Sequence, residues 1–249
     1  MAESVFSETI PELMTDHLRH LQEGSGLGAD VIKERGYRSL LGKSELEKLG
    51  FTRTQRRTPG ILIPLWGVDG KEAGYQYRPD GPRLDTRGRP VKYESPAGGS
   101  NRLDCPPRCQ KMLGDPKIPL WITEGSKKAD ALASKGACAI SVTGVWGFKG
   151  KNQFGGITFL TDWDYIALKG RTVYLAFDSD IVTKEMVRKA LEHIGEHLRR
   201  KEAKVHVIQL PQAGEKMVGI DDYVLEHSLE EAQKLVTDFK LEETEDKNR

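Results

Sequence analysis

The sequence predicts an α/β fold in which a parallel sheet is flanked by helices and is preceded by a smaller α+β subdomain. From residue 117 onward, short apolar segments of strand length alternate with longer amphipathic segments, as in βαβ units. Before residue 80, a period-two pattern around an Asp-Gly turn indicates a β-hairpin. With 249 residues, of which 37% are hydrophobic and 30% charged, the chain is long enough to bury a globular core.

The second half of the chain supplies the strands and helices of the predicted parallel sheet. Strands are expected at Ile118–Thr123, Ala137–Val142, Thr172–Phe177 and Lys204–Leu210. Helices are expected at Ser126–Lys135, Ile157–Leu168 and Lys184–Arg200, followed by short helices at Asp221–His227 and Leu229–Phe239. Alternation of this kind places the carboxyl ends of the strands at one edge of the sheet.

The first half is expected to be a mixture of short helices and a hairpin. Helices are predicted within residues 1–23, at 29–35 and at 43–49, where Ser44 and Glu47 have the spacing of a capping box. A strand at Gly60–Trp66 pairs with Ala73–Tyr77 across the Asp-Gly turn, and a long irregular segment covers 78–116. We therefore divide the chain into an N-terminal helix and linker (1–28), a basic α+β subdomain (29–115), an α/β domain (116–240) and a charged tail (241–249).

The charge is balanced over the chain but unevenly distributed. The formal net charge is +1, whereas residues 30–111 contain 17 Lys and Arg against 10 Asp and Glu. A basic segment beside an acidic one suits a groove for a polyanion next to a metal site. Ordinary surface charge is the alternative explanation.

Targeting signals and disulfide patterns are lacking in the sequence. No apolar run approaches the roughly 20 residues that span a bilayer, and the first residues do not resemble a signal peptide, so a cytoplasmic protein without membrane contact is expected. The three cysteines argue against a disulfide framework. Cys105 and Cys109 have a spacing that zinc ligands can have, but no second ligand pair follows, which favours free thiols.

Acidic side chains follow two of the predicted strands at their carboxyl ends. Glu124 ends the first strand of the α/β domain, and Asp178 and Asp180 follow the third, while Gly144 follows the second. Carboxylates at neighbouring strand ends form a cluster of like charge that requires a cation. Because these ligands are all oxygens, Mg²⁺ or Mn²⁺ is expected there, with open positions for phosphate oxygens.

These segments resemble the three signature elements of the toprim domain, namely Trp-Ile-Thr-Glu-Gly at 121–125, Ser-Val-Thr-Gly at 141–144 and Ala-Phe-Asp-Ser-Asp at 176–180. That domain is shared by DnaG-type primases, topoisomerases, nucleases of the overcoming-lysogenization-defect type and recombination-mediator proteins. The resemblance implies that Glu124 is a general acid/base, with metal ligation as a further role, and that Asp178 and Asp180 bind Mg²⁺.

The resemblance extends selectively towards the DnaG-type primase catalytic core, over about residues 30–227. It includes the hairpin up to Ala-Gly-Tyr-Gln-Tyr-Arg at 73–78, Val-Lys-Tyr-Glu-Ser-Pro at 91–96 and Gly-Ile-Asp-Asp-Tyr at 219–223. The match is closest to primase-like toprim domains of phage and plasmid replication proteins. Four residues after Glu124, where DnaG-type primases have an Asp, this sequence has Lys128.

Further site residues follow from the resemblance and from their place in the predicted elements. Arg78 and Lys92 match primase positions that line the groove, with solvated loop charge as the alternative, and Tyr93 is a candidate for stacking on a base or for core packing. Lys127 and Lys128 begin a helix, where phosphate is favoured, or are simple surface lysines. The adjacent pair of acids in the last motif binds a second metal ion or caps a helix, and consists of Asp221 and Asp222.

The sequence thus predicts a primase-like nucleotidyltransferase that uses Mg²⁺ to make short primers from NTPs on single-stranded DNA. Its context would be replication of a phage, a plasmid or another mobile element, with a replicative helicase supplied in trans or by a missing region. Two alternatives remain open. One is a toprim nuclease that uses the same metal for hydrolysis, and the other is a non-catalytic nucleic-acid-binding module of the replication machinery.

Overall fold

The chain forms two main sheets and a separate small hairpin. The computed structural model describes residue 10 and residues 12–178, 185–211 and 218–237. Within these residues the helices are α1 (Thr15–Gln22), α2 (Ala29–Arg35), α3 (Lys43–Lys48), α4 (Ser126–Ser134), α5 (Glu185–Arg200), α6 (Ile220–Glu226) and α7 (Leu229–Gln233). Two 3₁₀ helices cover Pro107–Met112 and Thr161–Tyr165.

The strands are β1 (Arg38–Leu40), β2 (Gly60–Trp66), β3 (Glu72–Pro79), β4 (Leu120–Glu124), β5 (Cys138–Val142), β6 (Lys149–Lys151), β7 (Ile157–Phe159), β8 (Thr172–Leu175), β9 (Lys204–Ile208) and β10 (Val236–Thr237). The larger sheet has the order β10-β9-β8-β4-β5. Its strands β5, β4, β8 and β9 are parallel, and β10 is an antiparallel edge strand. The predicted fold class, a helix-flanked sheet with parallel strands, is therefore confirmed.

The parallel sheet buries side chains on both faces, which explains the nearly continuous apolar runs of its strands. Leu120 and Ile122 of β4 pack on the side covered by α5, whereas Trp121 packs on the side covered by α4 and α6. This alternation is the period-two geometry of a strand. The central strand β4 is thereby held from both sides, and its carboxyl end has a fixed position.

The smaller sheet is antiparallel, has the order β1-β2-β3 and is formed by the first half of the chain. Its own core joins Tyr77 of β3 to Phe51 and Leu46. The predicted hairpin at 60–77 is present, with β3 slightly longer than expected. Strand β1 was not predicted, because three residues are too few for a periodic signal.

Some predicted elements are wrong. The helix expected at Ile157–Leu168 is instead β7 followed by the second 3₁₀ helix. The final helix expected at Leu229–Phe239 stops at Gln233, and the chain then forms β10 against β9. Helix α3 begins after Gly42, so Ser44 does not cap it. The three cysteines are buried free thiols, and in the described part of the chain no helix is long and apolar enough to cross a membrane.

A buried ion network joins the two halves of the fold. Both terminal nitrogens of the Arg35 guanidinium contact Asp104, at 2.7 and 3.1 Å, and its Nε lies 2.5 Å from Oδ2 of Asp130. The Tyr37 hydroxyl donates to the same Asp130 oxygen at 2.5 Å. Asp104 also accepts from Ser141 Oγ at 3.0 Å, so α2, α4 and β5 share one network. Burial raises the pKa of Asp130 to about 6, although the Arg35 charge opposes that shift.

Two histidines make folding sensitive to acid. Burial, together with nearby cationic side chains, lowers the pKa of both His20 and His197 from 6.5 to about 4. Between these values the unfolded chain binds protons that the folded chain does not, so stability is present above pH 6.5 and is lost as the pH falls towards 4. We expect chemical denaturation to show a falling free energy of unfolding over this range, and a smaller fall in a variant with both His20→Gln and His197→Gln. An unchanged slope in that variant would assign the acid sensitivity to other groups.

Candidate metal and nucleic-acid site

The candidate site lies where three neighbouring parallel strands end. β4 lies between β5 and β8, so Glu124 at its end is next to Thr143-Gly144 on one side and Asp178 on the other. The Gly125 amide donates to the Val142 carbonyl at 3.0 Å. Gly125 has a φ of 92°, so the turn from β4 into α4 uses a backbone conformation that glycine adopts easily.

Glu124 and Asp178 line the same cleft, which has a volume of about 340 Å³. The remaining lining residues come from the small sheet and its following segment, from the start of α4, and from the turn after β5. They are Gln76, Tyr93, Ser95, Gly125, Ser126, Lys127, Lys128, Thr143 and Gly144. The structure thus brings two of the three predicted ligand carboxylates to one cleft.

The third predicted ligand, Asp180, lies outside the described residues. Among the residues that the structure does describe, no group of three Asp, Glu, His or Cys side chains is arranged to hold a metal ion. The two carboxylates in the cleft offer oxygen ligands, which suit Mg²⁺ or Mn²⁺. A complete ligand set therefore remains a prediction that depends on Asp180.

Lys128 forms an ion pair with Asp178. Burial works against the charged form of Lys128, but the Asp178 charge and hydrogen bond outweigh it, and the pKa of Lys128 is raised. Asp221 and Glu124 act in the same direction. An ammonium group therefore occupies part of the space around Asp178, at the sequence position where DnaG-type primases have an acid.

Lys127 is held on the other side of the cleft. Its Nζ donates to Ser25 Oγ at 2.5 Å and lies 3.8 Å from Oδ2 of Asp221. Burial lowers the pKa of Lys127 and raises that of Asp221, and each charge partly offsets the shift of the other. Asp222 instead caps α6, since its Oδ2 accepts from the Gly219 amide at 3.1 Å.

The start of α6 packs directly against the site. A Cβ atom added at Gly219 would lie 2.9 Å from Cε of Lys128 and 3.4 Å from Oδ1 of Asp178. Such a side chain would be in steric conflict with the Lys128 stem. The adjacent acids Asp221 and Asp222 therefore differ in position. Asp221 faces Lys127 and Lys128, whereas Asp222 caps α6.

Of the three residues predicted to contact nucleic acid from the small sheet and its following segment, Tyr93 lines the cleft. Burial raises the pKa of Tyr93, and the charge of Arg78 on β3 opposes this shift. Lys92 is exposed on the adjoining segment. No sequence pattern indicates His20 as a site residue, yet after burial the nearby charges of Lys127 and Arg78 are what lower its pKa most. Helix α1 thus borders the basic side of the cleft.

A second cleft of about 410 Å³ continues from the first, because Ser95 and Thr143 line both. Its walls include Tyr75 of β3 and the loop from Pro96 to Asp104. Together the two clefts form a path along the face of the small sheet, away from Glu124 and Asp178.

Lys128 and a divalent ion would compete for Asp178. We expect Lys128→Met to bind Mn²⁺ about tenfold more tightly than the unchanged protein, because a positive charge next to a ligand is removed. Titration calorimetry with Mn²⁺ measures this, and Lys135→Met, at an exposed position beyond the end of the same helix, is the control. Equal or weaker Mn²⁺ binding by Lys128→Met would show that the lysine does not compete with the ion.

A domain family of unknown function, DUF3854, matches residues 109–231, a range that contains Glu124 and Asp178 but not the part of the cleft formed by Gln76, Tyr93 and Ser95. An uncharacterized protein of Picosynechococcus sp. is 28% identical over 281 residues. That match covers 91% of this chain but 28% of the relative, so the chain spans less than a third of the relative's length.

Solved structures of primases have the same fold. The Aquifex aeolicus primase, comprising zinc-binding and RNA polymerase domains, aligns with a TM-score of 0.60 at 14% identity and covers 89% of this chain and 55% of that one. A DnaG primase catalytic domain bound to ssDNA aligns at 0.57 and 16% identity, covering 88% and 71%. The E. coli primase catalytic core aligns at 0.57 and 18% identity, covering 88% and 73%. The protein is therefore structurally similar to the DnaG primase catalytic core.

Proposed function

We propose that this chain is a primase-like nucleotidyltransferase that makes short primers on single-stranded DNA. One observation carries the proposal: Glu124 and Asp178 lie in one cleft at the strand ends of a fold similar to the primase catalytic core. Basic groups border the same cleft, as phosphate chemistry requires. The phage or plasmid setting and the helicase partner are proposed from the sequence resemblance. The division into subdomains at residues 28, 115 and 240 is proposed from the order of the predicted elements.

The side chains of the cleft have separate roles in this proposal. Glu124 accepts the proton of a 3′-hydroxyl, whose oxygen bonds to the α-phosphorus of an NTP while pyrophosphate leaves; the role of Glu124 is general-base catalysis. Glu124, Asp178 and Asp180 would together hold a Mg²⁺ or Mn²⁺ ion, so Glu124 would be both a ligand and the base, with Asp221 as a further acidic group on the Lys127 side. When bound, such an ion withdraws charge from phosphoryl oxygens and orients them.

The basic and aromatic residues bind the substrates. The ammonium group of Lys127 is largely buried and is held by a hydrogen bond to Ser25. Because this side chain is already ordered, it loses little conformational entropy when it binds a triphosphate. Arg78 and Lys92 offset phosphate charge along the groove, and Tyr93 offers an aromatic surface to a base. The single-stranded DNA bound by the similar DnaG domain supports a single strand as the template here.

A synthesis assay tests the proposal against its alternatives. The protein is incubated with single-stranded DNA, labelled NTPs and Mg²⁺ or Mn²⁺, next to a Glu124→Gln variant. Labelled oligonucleotides that require the DNA, the metal and Glu124 support a primase. Cleavage of the DNA without synthesis would indicate the nuclease, and binding with neither activity, unchanged in the variant, would indicate a non-catalytic module.

A further inference from the structure

We propose that the hairpin of β6 and β7, residues 149–159, binds single-stranded nucleic acid by stacking the ring of Phe154 on an unpaired base, with Lys151 next to a phosphate. The inference rests on the proposed function and extends it, since it identifies a contact for the strand outside the candidate active site. Of the two strands, β7 lies at the start of the segment Ile157–Leu168, where the sequence predicted a helix.

The tip of this hairpin presents apolar side chains to solvent. Phe154 is 86% exposed and Ile157 is 74% exposed. An aromatic ring with this exposure makes little contribution to the core, and together with Ile157 it forms an apolar surface that a partner can contact. Aromatic rings on accessible loops are the stacking platforms of single-strand-binding proteins.

The backbone that carries Phe154 is well ordered by local hydrogen bonds. The side-chain oxygen of Asn152 accepts from the amides of Phe154, at 3.0 Å, and Gly156, at 2.9 Å. The Asn152 amide also donates to the Gly156 carbonyl at 2.8 Å. A ring held on a preformed turn loses little entropy when a base stacks on it.

The base of the hairpin is anchored to the large sheet's helical layer. Phe159 stacks on His197 of α5 with ring centroids 3.7 Å apart, and Lys149 Nζ lies 5.0 Å from the centre of the Phe159 ring. Burial lowers the pKa of Lys149, and the Glu196 charge opposes that shift. Lys149 therefore belongs to the anchor, and Lys151 is the exposed cation of the hairpin.

Charge favours a nucleic acid over an apolar protein partner. Between Asp130 and Asp162 the sequence contains no Asp or Glu, while Lys135, Lys149 and Lys151 lie within that interval. A polyanion thus approaches the hairpin without meeting a carboxylate from the hairpin itself. Each phosphate neutralised by a lysine adds a salt-dependent contribution to affinity.

The hairpin also lies at the end of a continuous path from the candidate site. The Asn101 side chain donates to the Lys149 carbonyl at 2.8 Å, and Asn101 lines the second cleft. That cleft shares Ser95 and Thr143 with the cleft of Glu124 and Asp178. A strand that runs from the active site along the second cleft would therefore arrive at the base of the hairpin.

Fluorescence anisotropy with a labelled oligodeoxythymidine tests the inference on the full chain. Phe154→Ala is expected to weaken binding about 5- to 100-fold, and Phe154→Trp to retain it, because stacking needs an aromatic face. Lys151→Ala is expected to reduce the slope of log affinity against log salt by about 1. Ile157→Ala, on the same hairpin, and Tyr165→Ala, an exposed aromatic elsewhere, are matched controls with affinity close to that of the unchanged protein.

The outcomes separate this inference from the proposed primase activity. Unchanged binding by Phe154→Ala, equal losses in the Ile157 and Tyr165 controls, or no binding of single strands by the unchanged protein would each overturn the inference. A concentration-dependent dimer that Phe154→Ala abolishes, with no effect on DNA affinity, would also overturn it and identify a second copy as the occupant. If Phe154→Ala weakens binding but no variant or condition gives synthesis, the hairpin proposal stands and the primase proposal fails.

Discussion

Replacing Glu124 by Gln is expected to lower the rate of primer synthesis by about 10²- to 10⁴-fold, the range that general acid–base catalysis contributes. The amide keeps the size of the side chain but cannot accept the proton of a 3′-hydroxyl. Glu124 lines the cleft and is half-buried rather than part of the core, so the thermal midpoint of unfolding should stay close to that of the unchanged protein. The rate is measured as labelled oligonucleotide formed per minute.

A matched control separates chemistry from general charge effects. Glu226→Gln removes a carboxylate from the exposed side of α6 and is expected to leave synthesis unchanged. Affinity for single-stranded DNA should be the same in both variants, because neither removes a basic or aromatic contact. Full synthesis by Glu124→Gln would exclude Glu124 as the base.

The largest effect on stability is expected from Arg35→Met. Arg35 is fully buried between Asp104, which is 2% exposed, and Asp130, which is fully buried. Removing the guanidinium leaves two carboxylates buried without their cation, which costs about 3–5 kcal/mol of folding free energy. Such a loss is a large part of the free energy of unfolding, which is typically about 5–15 kcal/mol for a native protein. A fall of roughly 6–20 °C in the midpoint of thermal unfolding is the expected measurement.

The pH dependence of this loss identifies its cause. Without Arg35 the pKa of Asp130 rises further above the unfolded value, so folding is favoured when this carboxyl group is protonated. Arg35→Met should therefore be less destabilised at low pH than at neutral pH. Arg108→Met is the control, since Arg108 pairs with Asp30 and Glu34 at the surface and its loss should change stability by about 0–1 kcal/mol. Equal losses in the two variants, or a loss independent of pH, would contradict the buried-charge explanation.

The regular parts of the fold were predictable because their signals are local. The strands β2, β4 and β5 are bounded by glycines or turns, and α4 and α5 have apolar residues at helical spacing. The helix predicted from residue 157 was wrong because contacts with residues distant in the sequence determine the structure there. Its apolar spacing fits a helix, but the buried Asp162 accepts from the Leu103 amide at 2.7 Å and from Arg102, which fixes a 3₁₀ turn there. Because these partners of Asp162 lie about 60 positions away in the sequence, the local hydrophobic periodicity does not show them.

The part of the candidate site that lies at the ends of strands was predictable from the sequence. A parallel sheet brings the carboxyl ends of adjacent strands together, so Glu124 and Asp178 could be expected at one edge. The sequence also raised both roles for the last acidic pair, and the structure separates Asp221, facing Lys127, from Asp222, which caps α6. The contacts of Lys128 with Asp178 and of Lys127 with Ser25 were not foreseen, because each depends on a side chain from a distant segment.

The central claim is that Glu124, Asp178 and Asp180 hold one divalent ion, and crystals grown with Mn²⁺ test it most directly through an anomalous difference map. We expect a peak between the carboxylates of Glu124 and Asp178, at roughly the 2.0–2.2 Å ligand distance of a small oxygen-bound divalent ion, with Asp180 completing the set. In that structure Lys128 would be displaced from Asp178. A map without a peak at saturating Mn²⁺, with Lys128 still paired to Asp178, would contradict the account.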